Sequence, residues 1–73
     1  MILITGSAGY IGSQICKKFE NSKIKYIGID NLKYTYKDNV YNKKNFVECC
    51  ISNKKKITSI IKQKKVITII HAA

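Results

Sequence analysis

The chain has 73 residues, fourteen of them lysine or arginine against four acidic, for a formal net charge of +10. A chain of this size has room for one small domain with a thin core, because it buries only about 60% of the surface its unfolded form exposes. Its three cysteines (Cys16, Cys49, Cys50) are an odd number with two adjacent, which excludes a disulfide framework.

The charge resembles a nucleic-acid footprint, but its composition argues otherwise. All fourteen basic residues are lysine, and Ile, Lys, Asn and Tyr make up 39 of the 73 positions. Codons for these four are built almost wholly from A and T, so base composition accounts for much of the charge. Specific recognition of a polyanion would favour arginine forks and aromatic platforms. Lysines 54–56, 62, 64 and 65 then read as a solvated helix face. The N-terminus has no basic n-region and its apolar run stops at Gly6, so neither a signal peptide nor a membrane span is expected, and a cytoplasmic location is.

In chain order, residues 1–5 ("MILIT") are a short continuous apolar run, the pattern of a strand buried on both faces. Ile11, Ile15 and Phe19 fall on one stripe of a helix over 10–20. Residues 25–30 ("KYIGID") form a second apolar strand ending in an acid. Residues 31–45 are polar, tyrosine-rich and without period, which predicts a long loop holding a helical turn. A third strand fits 45–49. Ser52 or Asn53 can cap a second helix with Ile57, Ile60 and Ile61 on its inner side, ending near Lys65. Residues 66–70 ("VITII") read as a fourth buried strand. Right-handed crossovers convert this order into a parallel α/β sheet ordered 3-2-1-4 with helices on its faces, a partial Rossmann fold.

The stretch "ITGSAGYIGS" (residues 4–13) lies between the first strand and the first helix, the setting a dinucleotide fingerprint requires. Gly6 would make the sharp exit from the strand, Gly9 would let backbone approach a pyrophosphate, and Gly12 would let the helix pack closely on the sheet. Backbone N–H groups around Tyr10 and Ile11 would face the anion, helped by the helix dipole. Eighteen residues beyond Gly12, Asp30 ends the second strand, where its carboxylate could accept from an adenosine ribose diol and repel a 2′-phosphate. The cofactor expected is therefore NAD. A kinase-type phosphate loop is excluded, since no Gly-Lys-Ser/Thr follows.

These residues resemble the extended short-chain dehydrogenase/reductase family. Thr5, Gly6, Gly9 and Gly12 match its T-G-x-x-G-x-x-G, "IGIDNL" (27–32) is similar to the end of strand two in UDP-glucose 4-epimerases, and "IIHAA" (69–73) resembles the family's V-I-H-x-A-A. The resemblance implies adenosine-ribose roles for Asp30 and Asn31. It also implies a place for Ala72 and Ala73 beside the pyrophosphate and nicotinamide ribose. dTDP-glucose 4,6-dehydratases share much of the pattern. Where the family has Gly-Asp-Ile or Gly-Asp-Leu, with an Asp that binds the adenine edge, this chain reads Cys49-Cys50-Ile51, which leaves Ile51 and backbone groups for that contact.

The family's catalytic Tyr-x-x-x-Lys does not occur: the residues four beyond Tyr10, Tyr26, Tyr34, Tyr36 and Tyr41 are Gln14, Asp30, Asp38, Val40 and Asn45. Residues 1–73 are expected to be the N-terminal part of a dinucleotide-binding domain, inactive alone, with a missing C-terminal half or self-association as possible complements. The alternatives are a dehydratase-like NAD-binding fragment, a degenerate non-enzymatic remnant, and a small basic module binding nucleic acid non-specifically. Cys49, Cys50 and His71 lack metal-ligand spacing and are read as scaffold. Tyr34, Tyr36 and Lys37 are candidates to cover an adenine or meet a phosphate.

Overall fold

A computed structural model describes residues 1–72, in which four parallel strands form one sheet. In chain order the elements are β1 (Ile2–Thr5), α1 (Tyr10–Asn21), β2 (Tyr26–Asp30), two single 3₁₀ turns (Lys37–Asn39 and Lys43–Asn45), β3 (Phe46–Glu48), α2 (Lys54–Gln63) and β4 (Thr68–His71). The sheet order is β3-β2-β1-β4, as the crossover rule predicts. Ile2 pairs with Tyr26 on one side and Thr68 on the other, so β1 is central.

Alternation along the strands sends side chains to two separate cores. Leu3, Ile27, Ile29 and Cys49 pack under Ile60 of α2, with Ile57, Ile61 and Val66 around them. Ile4 and Tyr26 pack on the opposite face against Cys16 of α1, with Ile15 and Phe19 beside them. Leu3, Ile4 and Ile29 are fully buried, and each contributes about 1.5–3 kcal/mol from apolar burial.

Both helices end in the same way. Ile24 N–H bonds Phe19 C=O at 2.9 Å and Val66 N–H bonds Ile61 C=O at 3.0 Å, the six-to-one closure of a Schellman motif. The left-handed position preceding each is held by a lysine, Lys23 (φ 57°) and Lys65 (φ 53°). Of the two α-helices, α2 alone has a side-chain N-cap, in which Asn53 Oδ1 accepts from Lys56 N–H at 3.2 Å.

Three expectations change. The buried stripe of α1 is Gly12 and Cys16, while Ile11 is exposed, because the close approach at Gly12 turns that side of the helix onto the sheet. β4 is largely exposed rather than buried: among the described residues it has one strand neighbour, β1, and only Ile70 packs into a core. The 31–45 segment contains two 3₁₀ turns rather than one helical turn, and it lies across the α1 face of β2 and β3 as a strap.

Candidate functional site

The three glycines of the first loop differ in what they permit. Gly6 has φ 66°, the left-handed region that glycine enters without strain, and so turns the chain out of β1. A Cβ on Gly12 would run into the Gly6 carbonyl and stand 2.8 Å from its carbon, so this position allows no side chain while the helix packs as it does. Gly9 is different. Its backbone is extended (φ −77°, ψ 174°), which any residue adopts, and a Cβ there would meet only Gly6 O at 3.3 Å and Thr35 Cγ2 at 3.9 Å. A side chain here therefore asks the Gly6 carbonyl to give by a few tenths of an ångström, a far smaller demand than at Gly12.

Gly9 is also the N-cap of α1, and no side chain caps that helix. The first helical bond of this turn runs from Ser13 N–H to Gly9 C=O at 2.9 Å. The N–H groups of Tyr10, Ile11 and Gly12 precede it and lack intrahelical acceptors. No acidic residue stands in this turn to satisfy them or to oppose the dipole. The arrangement favours an anion and leaves a gap in side-chain cover through which one can approach.

Beside this turn a cleft of about 280 Å³ is lined by Gly6, Gly9, Asp30, Asn31, Tyr34, Thr35, Cys49, Ile51 and Ala72. The exits of all four strands meet here, the usual place for a ligand in an open parallel sheet. Asp30 closes one wall. Its Oδ2 accepts from Ala8 N–H at 3.0 Å, and its Oδ1 accepts from Leu32 N–H at 2.8 Å and Thr35 Oγ1 at 3.1 Å. A carboxylate offers about four lone-pair directions, so one remains for an incoming donor. Asn31 Oδ1 caps the same bend by accepting from Lys33 N–H at 2.9 Å.

Of the residues named from the sequence, Gly6, Gly9, Asp30, Asn31, Ile51 and Ala72 line the cleft together. Tyr10 and Ile11 are exposed in the first turn of α1 and contribute backbone, and Gly12 packs beneath it. Ala73 lies outside the described residues. Cys50 is not part of the cleft wall: its thiol turns to Ser52 Oγ at 3.0 Å, and this bond and the neighbouring Lys33 and Asn31 lower its pKa. Tyr34, one of the loop candidates, does line the cleft, whereas Tyr36 and Lys37 do not.

Thr35 and Cys49 were missed. Thr35 is recruited by its bond to Asp30, and its only local signal is a hydroxyl five residues beyond an acid. Gly28 was missed as well. It is buried against Ser7, and a Cβ there would stand 2.6 Å from both Ser7 Cβ and Oγ. His71 acts as scaffold within the described chain, sharing a 2.6 Å hydrogen bond through Nδ1 with Thr5 Oγ1 across β1 and β4. Among the described residues, no group of three or more His, Cys, Asp or Glu could hold a metal ion, and no helix is long and apolar enough to cross a membrane.

Comparison with known proteins agrees with this architecture. Residues 2–73 match the profile of the NAD dependent epimerase/dehydratase family, and the chain belongs to that family. A protein of Methanocaldococcus jannaschii named "Putative UDP-glucose 4-epimerase" is 40% identical over 73 residues, which is all of this chain and 24% of the relative. The UDP-glucose 4-epimerase of Thermotoga maritima, solved with UDP-glucose, superposes with a TM-score of 0.89 at 31% identity over 99% of this chain and 23% of that one. The dTDP-glucose 4,6-dehydratase of Bacillus anthracis, solved in complex with NAD, superposes with a TM-score of 0.86 at 34% identity over 99% of this chain and 26% of that one. The chain thus spans about a quarter of the length of these relatives.

Proposed function

We propose that this chain is the NAD-binding portion of a sugar-nucleotide epimerase of the UDP-glucose 4-epimerase kind. The observation that carries the reading is the pairing of an uncapped helix N-terminus behind Gly9 with a buried carboxylate, Asp30, across one cleft. The uncapped N–H groups of α1 hold the pyrophosphate, with Gly9 giving the clearance that a side chain would remove. Asp30 uses its remaining lone pair on the adenosine ribose, where its negative charge disfavours a 2′-phosphate. Asn31 stands beside Asp30 on the ribose side, Ile51 and the backbone beside it contact the adenine, and Ala72 lines the same cleft.

When bound, NAD supplies the hydride acceptor and donor of the family's chemistry. The residues of this chain bind and orient it, and the 73 residues hold no Tyr-x-x-x-Lys pair that could move the substrate proton. Calorimetric titration with NAD and NADP tests the proposal: NAD should bind more tightly, and the chain with UDP-galactose and NAD should show no turnover. Tighter binding of NADP, or no binding of either, would overturn it. The 34% identity to a dTDP-glucose 4,6-dehydratase keeps a second reading, a dehydratase-type portion with the same cofactor role. Turnover of the two sugar nucleotides by a full-length protein carrying this sequence distinguishes them.

A further inference from the structure

Glu20 lies in the last turn of α1, at the opposite end of that helix from the glycine loop. An acid there faces the negative end of the helix dipole, so its place needs another cause. Three neutral donors supply it. Tyr26 Oη donates to Oε2 at 2.9 Å, Asn42 Nδ2 to Oε1 at 3.0 Å and Asn45 Nδ2 to Oε2 at 3.4 Å. Two of these belong to the 31–45 strap, Asn42 as the cap and Asn45 as the last residue of its second 3₁₀ turn, and the third is the first residue of β2.

The same strap reaches the cleft. Tyr34 and Thr35 line it, Thr35 Oγ1 donates to Asp30, and Asn39 Nδ2 donates to Ala8 C=O of the glycine loop at 3.1 Å. The strap therefore hangs between two attachments, one on the ligand side and one on Glu20. Its residues are mostly exposed, so packing alone does not hold it. A carboxylate is suited to the second attachment because it only accepts, and all three partners donate.

We infer that Glu20 is a positioning residue for the nucleotide cleft: it anchors the strap from the far end of α1 and so sets where Tyr34 and Thr35 stand against the ligand. This rests on the nucleotide-binding reading of the cleft. Releasing the anchor lowers the fraction of chains whose strap is in the binding arrangement, and the apparent dissociation constant rises by the inverse of that fraction.

The test is Glu20→Gln in the full chain. It places an amide N–H among donors while removing little volume. In the ligand-free variant, the amides of Asn39, Val40 and Asn45 should lose protection from hydrogen exchange, and the NMR signals of the Thr35 methyl and Tyr34 ring should shift. The amides of β1 and β2 should stay unchanged. The dissociation constant for NAD should rise about three- to tenfold, as for a competent fraction between about a third and a tenth. Asn42→Asp is the second variant, since it keeps the acceptor for Lys44 N–H but sets a like charge against Glu20. It should reproduce the effect even if the first variant fails to fold. Unaltered strap exchange, cleft signals and NAD affinity in a folded variant would overturn the inference. A native chain that does not bind NAD would instead overturn the reading of the cleft, and the ligand-free exchange and NMR signals would still decide whether Glu20 anchors the strap.

Discussion

Asp30 and Ala8 are joined by a 3.0 Å hydrogen bond from the Ala8 amide to Asp30 Oδ2, which ties the end of β2 to the middle of the glycine loop. The carboxylate expected to meet a ribose is therefore already part of the loop's own structure. With Leu32 N–H and Thr35 Oγ1 on its other oxygen, Asp30 sets the shape of the cleft before any ligand arrives.

The first prediction follows from that double role. Asp30→Ala should weaken NAD binding by well over the tenfold expected from one charge-assisted bond, because the loop loses its anchor as well. It should also destabilise the free chain by about 1–3 kcal/mol, the cost of leaving a buried donor unpaired. Titration and thermal melting measured together check this. A loss of affinity with unchanged stability would mean that Asp30 serves the ligand alone.

Gly9→Val and Gly12→Val should separate binding from folding. The extended backbone of Gly9 suits a β-branched residue and its Cβ meets only a tight contact with the Gly6 carbonyl, so the first variant should lose NAD binding at a much smaller cost in melting temperature than the second. At Gly12 the carbonyl of Gly6 blocks any side chain, and that variant should lose the α1 packing itself. Circular dichroism melts beside titration distinguish the two.

Alkylation should discriminate among the three thiols. Burial and then the nearby Glu20 charge push Cys16 up to about 11, whereas Ser52 holds Cys50 below its ordinary value at an exposed position. Since the thiolate is the nucleophile, Cys50 should react first with iodoacetamide at neutral pH. Peptide mass spectrometry reads the order, and faster labelling of Cys16 would contradict the packing of α1 on the sheet.

The acid limb of stability should carry the mark of Glu20. Hydrogen bonds from Asn42 and Tyr26 lower its pKa below the ordinary 4.5. A carboxylate with a depressed folded-state pKa adds stability that is fully present above its unfolded value and is lost as pH falls through the folded one. Glu20→Gln should therefore be less stable than the native chain at neutral pH and lose less on acidification below about pH 4.5. Parallel curves for the two proteins would show that Glu20 does not titrate against the fold.

Lys65→Gly should stabilise the chain by about 0.5–1 kcal/mol. Lys65 occupies the left-handed position of the α2 Schellman motif at φ 53°, where a Cβ costs energy that glycine avoids. Its backbone bonds do not involve the side chain, so the gain should appear in denaturant unfolding without any change in NAD affinity.

What the sequence determined by itself was local or followed from handedness. An apolar run broken by Gly6, a helical period after it and an acid at the end of the next run specify strand, loop, helix and strand within thirty residues, and right-handed crossovers leave the observed sheet order. That the glycine loop, Asp30, Asn31 and Ile51 come together at one cleft was legible because the exits of parallel strands fall at predictable places along the chain. The tertiary structure decided the rest. Whether Ile11 or Cys16 faces the sheet depends on how closely Gly12 lets α1 approach, and the exposure of β4 depends on its having one strand neighbour among the described residues. The partners of Glu20 lie 6, 22 and 25 residues away, and the amide held by Asp30 lies 22 residues away. No periodicity encodes such pairs: a carboxylate selects its donors only after the strap, the helix and the strand have been brought together by burial of the two cores.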